Sequence, residues 1–302
     1  MQNKAAVIDN MDGFKVVATF FALWLTVYFD STTETWLAYT LIFSIGILHG
    51  SNDIQLLQLA QGKGNIKSSR WLMIYVAVIL LCIVFFLIDA RVALLVFIVF
   101  SAYHFGEQHW HEILQNSIWP IRVFYSIYGL LILNLLFYNH SEEVNQIIFE
   151  MTGYEIPGML YTYLVLGTLA IVILGIVFLG YRNEIKHTRV LKELFLLGLF
   201  YLIFFNASLI WAFSIYFIVW HSIPSIQEQT GLMYSGFSKE NLIKYMKSAG
   251  LYWFLSVTAL VLFILIVDNQ LFSYMTLFFA FLAAITLPHV LVMSKLYKET
   301  DI

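Results

Sequence analysis

The chain has 302 residues, of which 61% are apolar and 12% are Asp, Glu, Lys or Arg, with a formal net charge of −3. Soluble domains carry about twice that share of charge, which excludes a water-soluble enzyme, and disordered chains are far more polar. The slightly negative balance argues against nucleic acid as a partner, and the single cysteine, Cys82, excludes a disulfide framework or a thiolate metal site.

A transmembrane helix needs about 20 mostly apolar residues. Ten windows meet this requirement in chain order: 14–30, 36–60, 70–88, 91–115, 119–138, 159–180, 189–206, 209–231, 250–268 and 271–297. The seventh has the shortest clean apolar stretch, from Leu194 to Phe205, so eight or nine spans also fit. Residues 1–13 read as a short N-terminal tail, without the basic region and adjoining apolar stretch of a cleaved signal. Residues 14–297 read as a single all-α, polytopic transmembrane bundle, because no connection is long enough to fold alone. The apolar runs are continuous, unlike the alternating segments of an outer-membrane barrel.

Charge placement supports the ten-span reading. Every Lys and Arg except Arg91 falls in the tails or in the connections after the second, fourth, sixth and eighth windows. The positive-inside rule then places both termini in the cytoplasm. Residues 139–158 become an outer loop with Glu142, Glu143, Glu150 and Glu155 and no basic residue.

Ionisable residues at bilayer depth are costly and mark function by default. His49, His104, His221 and His289 fall inside the second, fourth, eighth and tenth windows, all oriented from outside to inside. The first three lie about 18–20 Å from the outer end at about 1.5 Å per residue, just past the middle of the apolar core. His289 is deeper, on a longer window that tilt would accommodate. Asp53, Glu107, Glu112 and Glu228 each follow one of these histidines. His49 and Asp53 are spaced i,i+4 and His104 and Glu107 i,i+3, which on a continuous helix share a face. The acids are therefore placed to accept the second ring N–H of a metal-bound imidazole.

An imidazole-rich site without thiolate suits iron, copper, zinc or nickel, and an apolar, aromatic surround suits a lipid-soluble substrate. A lone membrane histidine is explained by a cross-helix hydrogen bond; four at similar depth on like-oriented helices are better explained by convergence. His109 and His111, near the inner end, read as interfacial, and His140 and His187 as loop residues. Gly50 and Gly106 serve close packing or make room beside a ligand, and Pro224 and Pro288 are plain kinks or free backbone near it; both readings stay open.

Four segments carry a resemblance: GILHGSNDIQLLQ (46–58), YHFGEQHW (103–110), VWHSIPSIQEQ (219–229) and LPHVLVMSKLY (287–297). In order and spacing they resemble the Brp/Blh family of bacterial and archaeal membrane-bound β-carotene 15,15′-dioxygenases, over about residues 40–297. The resemblance implies a histidine-bound ferrous iron, O₂ as co-substrate, and cleavage of β-carotene into two molecules of retinal that supply a microbial rhodopsin. It implies that His49 and His104 are iron ligands and that His221 is the first histidine of an H-x-x-x-H pair. The second histidine of that pair falls on Ser225. Three outcomes stay open: His289 completes the set, three histidines and water suffice, or the chain is a paralogue with altered chemistry.

The resulting expectation is oxidative carotenoid cleavage at an Fe(II) centre held by His49, His104, His221 and His289. Asp53, Glu107, Ser225 and Glu228 stand around the ligands, and no catalytic base is needed beyond the metal. The alternatives are a carotenoid- or retinoid-binding protein without catalysis, and a transporter or proton-relay protein.

Overall fold

The structure is a computed structural model and describes residues 2–60, 68–111, 113–114, 119–266 and 273–300. Glu112, Lys63 and Lys67, used in the sequence reading, lie outside the described residues. Among those described there is no strand. The helices are α1 (Gln2–Thr26), α2 (Ser31–Leu41), α3 (Ile47–Gly50), α4 (Asp53–Ala60), α5 (Ser68–Ile88), α6 (Ala90–Trp110) and α7 (Trp119–Asn139). They continue as α8 (Ser141–Thr152), α9 (Gly158–Tyr181), α10 (His187–Asn206), α11 (Leu209–Ile215), α12 (Ile223–Tyr234), α13 (Lys239–Ile266) and α14 (Tyr274–Thr300). Two π-helical turns, Ile42–Gly46 and Tyr216–Ser222, join α2 to α3 and α11 to α12.

Among the described residues seven helices are long and apolar enough to cross a membrane: α5, α6, α7, α9, the continuous α11–α12 segment 209–234, α13 and α14. They mark a multi-pass membrane protein. The other three sequence windows fall outside that set by length and composition. Window 14–30 falls on α1, which brings Asp12 and Lys15, and window 189–206 falls on α10, which brings Arg189, Lys192 and Glu193. Window 36–60 is not one helix: it is interrupted by a π turn and by a break at Ser51–Asn52.

The charges of α1 and α10 neutralise one another inside the bundle. Asp12 pairs with Lys15 (2.6 Å), Arg189 (3.2 Å) and Lys192. Glu193, fully buried, takes Arg189 at 2.6 Å and His109 at 2.9 Å, with the Tyr128 hydroxyl 3.4 Å away. Removing charge from water is tolerated only when partners replace the lost hydration, and here four helices supply them. A further acid, Glu34 of α2, is buried and accepts the Ser208 N–H at 2.8 Å, satisfying an otherwise unpaired donor at the start of α11.

The centre of the bundle is the α11–π–α12 segment, buried at every residue from Leu209 to Ser222. An apolar helix with no polar face belongs in such a place. Around it α6 and α7 meet backbone to backbone. A Cβ on Gly106 would lie 1.9 Å from the Tyr125 carbonyl oxygen, and one on Gly129 would lie 1.8 Å from that of Ala102. Small residues at these two positions are what permit the approach, so the glycine of the HFG motif serves helix packing. By contrast α5, with only Cys82 buried, presents most of its surface outward. Residues 141–152 of the acidic segment form the amphipathic α8, whose Val144 and Ile148 turn inward. His140, expected as a solvated loop residue, is half-buried at the start of α8, whereas His187 is exposed.

Candidate metal centre

Four helical segments bring one histidine each to a common point. His49 comes from α3, His104 from α6, His221 from the second π turn and His289 from α14. All four are buried. Ring centroids are 5.0 Å apart for His49–His221, 4.8 Å for His49–His289, 4.8 Å for His104–His221 and 5.2 Å for His104–His289. The nearest ring nitrogens of His49, His221 and His289 all lie within 4.8 Å of one another, a spacing that could hold a metal ion. Nε2 of His49 and Nε2 of His221 are 3.3 Å apart.

Local chain geometry aims these rings. π turns widen a helix by one residue and recur at functional sites; one precedes His49 and the other contains His221. The two turns face each other at Gly46, where a Cβ would come within 2.9 Å of the Phe217 ring. Pro288, inside α14, removes one backbone donor immediately before His289. Gly50 lies against the His289 ring, 3.5 Å from its Nδ1 to a built Cβ, so a small residue there leaves space for that imidazole.

Hydrogen bonds set the tautomers. The His289 Nδ1–H donates to Asp53, 2.9 Å from Oδ1 and 3.1 Å from Oδ2, and the Tyr75 hydroxyl donates to Oδ2 at 2.8 Å. The His49 Nδ1–H donates to the Gly46 carbonyl. Both rings therefore turn an Nε2 lone pair inward. The sequence spacing had paired Asp53 with His49. The helix breaks between them at Ser51–Asn52, which redirects α4 and delivers the carboxylate to His289 instead. Asn52 is buried in the break and held by α13: its Nδ2 donates to the Tyr245 carbonyl (3.2 Å) and its Oδ1 accepts from Ser248 (2.9 Å).

The remaining expected residues bind elsewhere. Glu107 accepts from the Tyr103 hydroxyl at 2.5 Å, and Glu228 from the Tyr297 hydroxyl at 2.9 Å. Ser225, fully buried, accepts from Gln229 Nε2 at 2.8 Å. Gln229 Oε1 lies 2.7 Å from the Tyr245 hydroxyl, which is also 3.1 Å from the His49 carbonyl oxygen. Ser225 thus belongs to a polar brace behind the histidines. His109, whose Nε2 lies 2.9 Å from the Glu193 carboxylate, is structural.

The donor set fits a cation. Both ring nitrogens of His104, Nδ1 of His221 and Nε2 of His289 are buried without a hydrogen-bond partner. Each such orphan costs about 1–3 kcal/mol, and a shared metal ion would relieve several at once. Neutral nitrogen donors without thiolate suit iron, copper, zinc or nickel.

The cluster closes one end of a cavity of about 160 Å³. On α6 the lining residues are Leu94, Phe97, Ile98, Ser101, His104 and Phe105, and on α14 they run from Phe279 to His289. The stripes span eleven and ten residue steps, about 15–17 Å at 1.5 Å per residue. Because α6 and α7 run antiparallel through the Gly106 and Gly129 contacts, the end away from the histidines lies beside Phe137. There Val144, Ile147, Ile148 and Met151 of α8 cover it. Its walls are overwhelmingly apolar, and among the described residues no Lys, Arg, Asp or Glu lines it.

A family model described as beta-carotene 15,15'-dioxygenase matches residues 40–297. The chain belongs to that family. No curated protein and no solved structure matches the chain significantly.

Proposed function

From that membership we propose that the protein cleaves a carotenoid, β-carotene to retinal, with O₂ at a ferrous ion held by His49, His104, His221 and His289. The observation that carries this reading is a set of four buried imidazoles, with four ring nitrogens unpartnered, closing one end of an apolar cavity. Bound Fe(II) supplies the redox chemistry that joins O₂ to the central double bond. Everything else falls to the chain. Asp53 keeps the His289 proton on Nδ1, Tyr75 holds Asp53, and the Gly46 carbonyl keeps the His49 proton away from the centre. Phe97, Ile98, Phe279 and Leu282 wall a slot for a polyene, and their apolar side chains keep water out. Fixing the reacting bond beside the metal lowers the barrier through positioning.

Ser225 is the residue that favoured a non-catalytic binder. Its hydroxyl is engaged by Gln229, and His289 offers a fourth imidazole in the cluster, which supports an intact ligand set. In the cell the protein would lie in the bacterial cytoplasmic membrane with both termini inside. It would draw carotenoid from the lipid and deliver retinal to a rhodopsin. Expression in carotene-producing cells tests the activity. The account expects loss of orange colour and appearance of retinal; persistent colour without retinal, in folded and iron-replete protein, would sink it.

A further inference from the structure

One residue of the cavity wall carries a hydroxyl group that the iron reading does not use. Hydroxyl-bearing residues lining it are Ser51, Tyr75, Ser101, Ser256 and Thr286. Three are committed to the protein: Ser51 Oγ donates to the Ile47 carbonyl (2.7 Å), Thr286 Oγ1 to the Leu282 carbonyl (2.7 Å), and Tyr75 to Asp53. Ser256 is half-exposed on α13. Ser101 is different. It is 3% exposed, and its Oγ has no hydrogen-bond partner. A serine in an apolar helix ordinarily returns its proton to the carbonyl four residues back, as Thr19, Ser44, Ser126 and Thr168 do here. The Ser101 hydroxyl is instead left over in the cavity wall, one turn before His104, so their Cβ atoms are about 5–6 Å apart on one helix face.

A hydrocarbon polyene offers that hydroxyl no acceptor. Cleavage of a C=C bond by O₂ creates two C=O groups, one oxygen atom going to each. These are the first oxygen acceptors that the bound hydrocarbon itself acquires, and they arise beside the histidines. We propose that the Ser101 hydroxyl is a product-recognition site that donates a hydrogen bond to the carbonyl oxygen of the aldehyde formed. The inference rests on the carotenoid-cleavage reading for the origin of the aldehyde. The ligand class is a long apolar chain ending in one carbonyl group, and the site separates it from the parent hydrocarbon. Ser101 acts on departure of the product, not on breaking of the bond.

The test is direct binding, with no turnover required. The whole protein, wild type and Ser101→Ala, is reconstituted in lipid nanodiscs and titrated by tryptophan fluorescence with two compounds. One is all-trans-retinal; the other is the same skeleton with a methyl group in place of the aldehyde. Loss of one neutral hydrogen bond predicts a Kd for retinal raised about 3- to 10-fold, with the Kd for the hydrocarbon unchanged. Equal retinal affinity in the two proteins overturns the proposal. So does a loss shared equally by retinal and hydrocarbon, which is a packing effect. Failure of the cleavage reading shows separately, as iron-replete wild type that yields no retinal from β-carotene.

Discussion

Asp53→Asn isolates the proposed contribution of one carboxylate to the metal centre. Asp53 is 2% exposed, accepts the His289 Nδ1–H at 2.9 Å and the Tyr75 hydroxyl at 2.8 Å, and has no ligand role of its own in the proposed set. Asparagine keeps the shape but removes the charge, and it turns one of the two acceptor atoms into a donor. A charge-assisted hydrogen bond contributes about 1.5–3 kcal/mol. Loss of such a partner behind a metal-bound histidine typically lowers metal affinity about 10- to 100-fold, or about 1.4–2.7 kcal/mol. Tyr75→Phe removes one of the two donors to Asp53 and leaves His289 paired, so its effect should be smaller, under about 10-fold. The assay is iron retained per folded protein against a graded series of chelator, with helicity and Tm confirming the fold. Asp53→Asn holding iron as tightly as wild type would refute the reasoning, since it would mean that the pose of His289 does not matter to the metal.

Three further substitutions probe the scaffold. Gly106→Ala places a methyl 1.9 Å from the Tyr125 carbonyl oxygen, so α6 and α7 must separate. A loss of at least about 1–3 kcal/mol follows, seen as a lowered Tm in detergent, whereas Gly167→Ala, with nothing within 4 Å of its Cβ, should be harmless. Glu193→Ala strips His109 of its carboxylate partner and leaves Arg189 with Asp12 alone, which should destabilise the fold by about 3–5 kcal/mol. Iron content per folded molecule should stay unchanged at low temperature. Ser225→Ala removes the acceptor of Gln229 and should cost about 1 kcal/mol, without changing iron affinity. A loss of iron comparable to that of His221→Ala would return Ser225 to the metal site.

Much of the centre was legible because membrane burial makes polar residues conspicuous. Four histidines at similar depth on like-oriented windows pointed to one location, and the structure brings the four rings within 4.8–5.2 Å centroid spacings along the sides of the cluster. The partner of Asp53 was misread for a local reason. The i,i+4 rule assumes a continuous helix, whereas Gly50-Ser51-Asn52-Asp53 is a run of turn-forming residues, and that composition was the available signal. The π turns had no such signal, because an extra residue per turn is stabilised by packing, here Gly46 against Phe217. Tyr75 was invisible, since it sits on an otherwise unremarkable apolar helix far from any motif. Hydropathy alone does not show how α1 and α10 carry charge within the bundle. Their charges are compensated across helices by Asp12, Arg189, Lys192 and Glu193, a pairing that no single window contains. Ser101, three residues before His104, carries the helical spacing that places it beside that histidine.

The central claim is a single iron ion held among four imidazoles. Anomalous scattering at the iron edge, from crystals of protein purified with ferrous iron, tests it most directly. The account predicts one anomalous peak enclosed by His49, His104, His221 and His289, with Asp53 remaining on His289 Nδ1. A peak elsewhere, or no peak among these histidines in iron-replete protein, would contradict it.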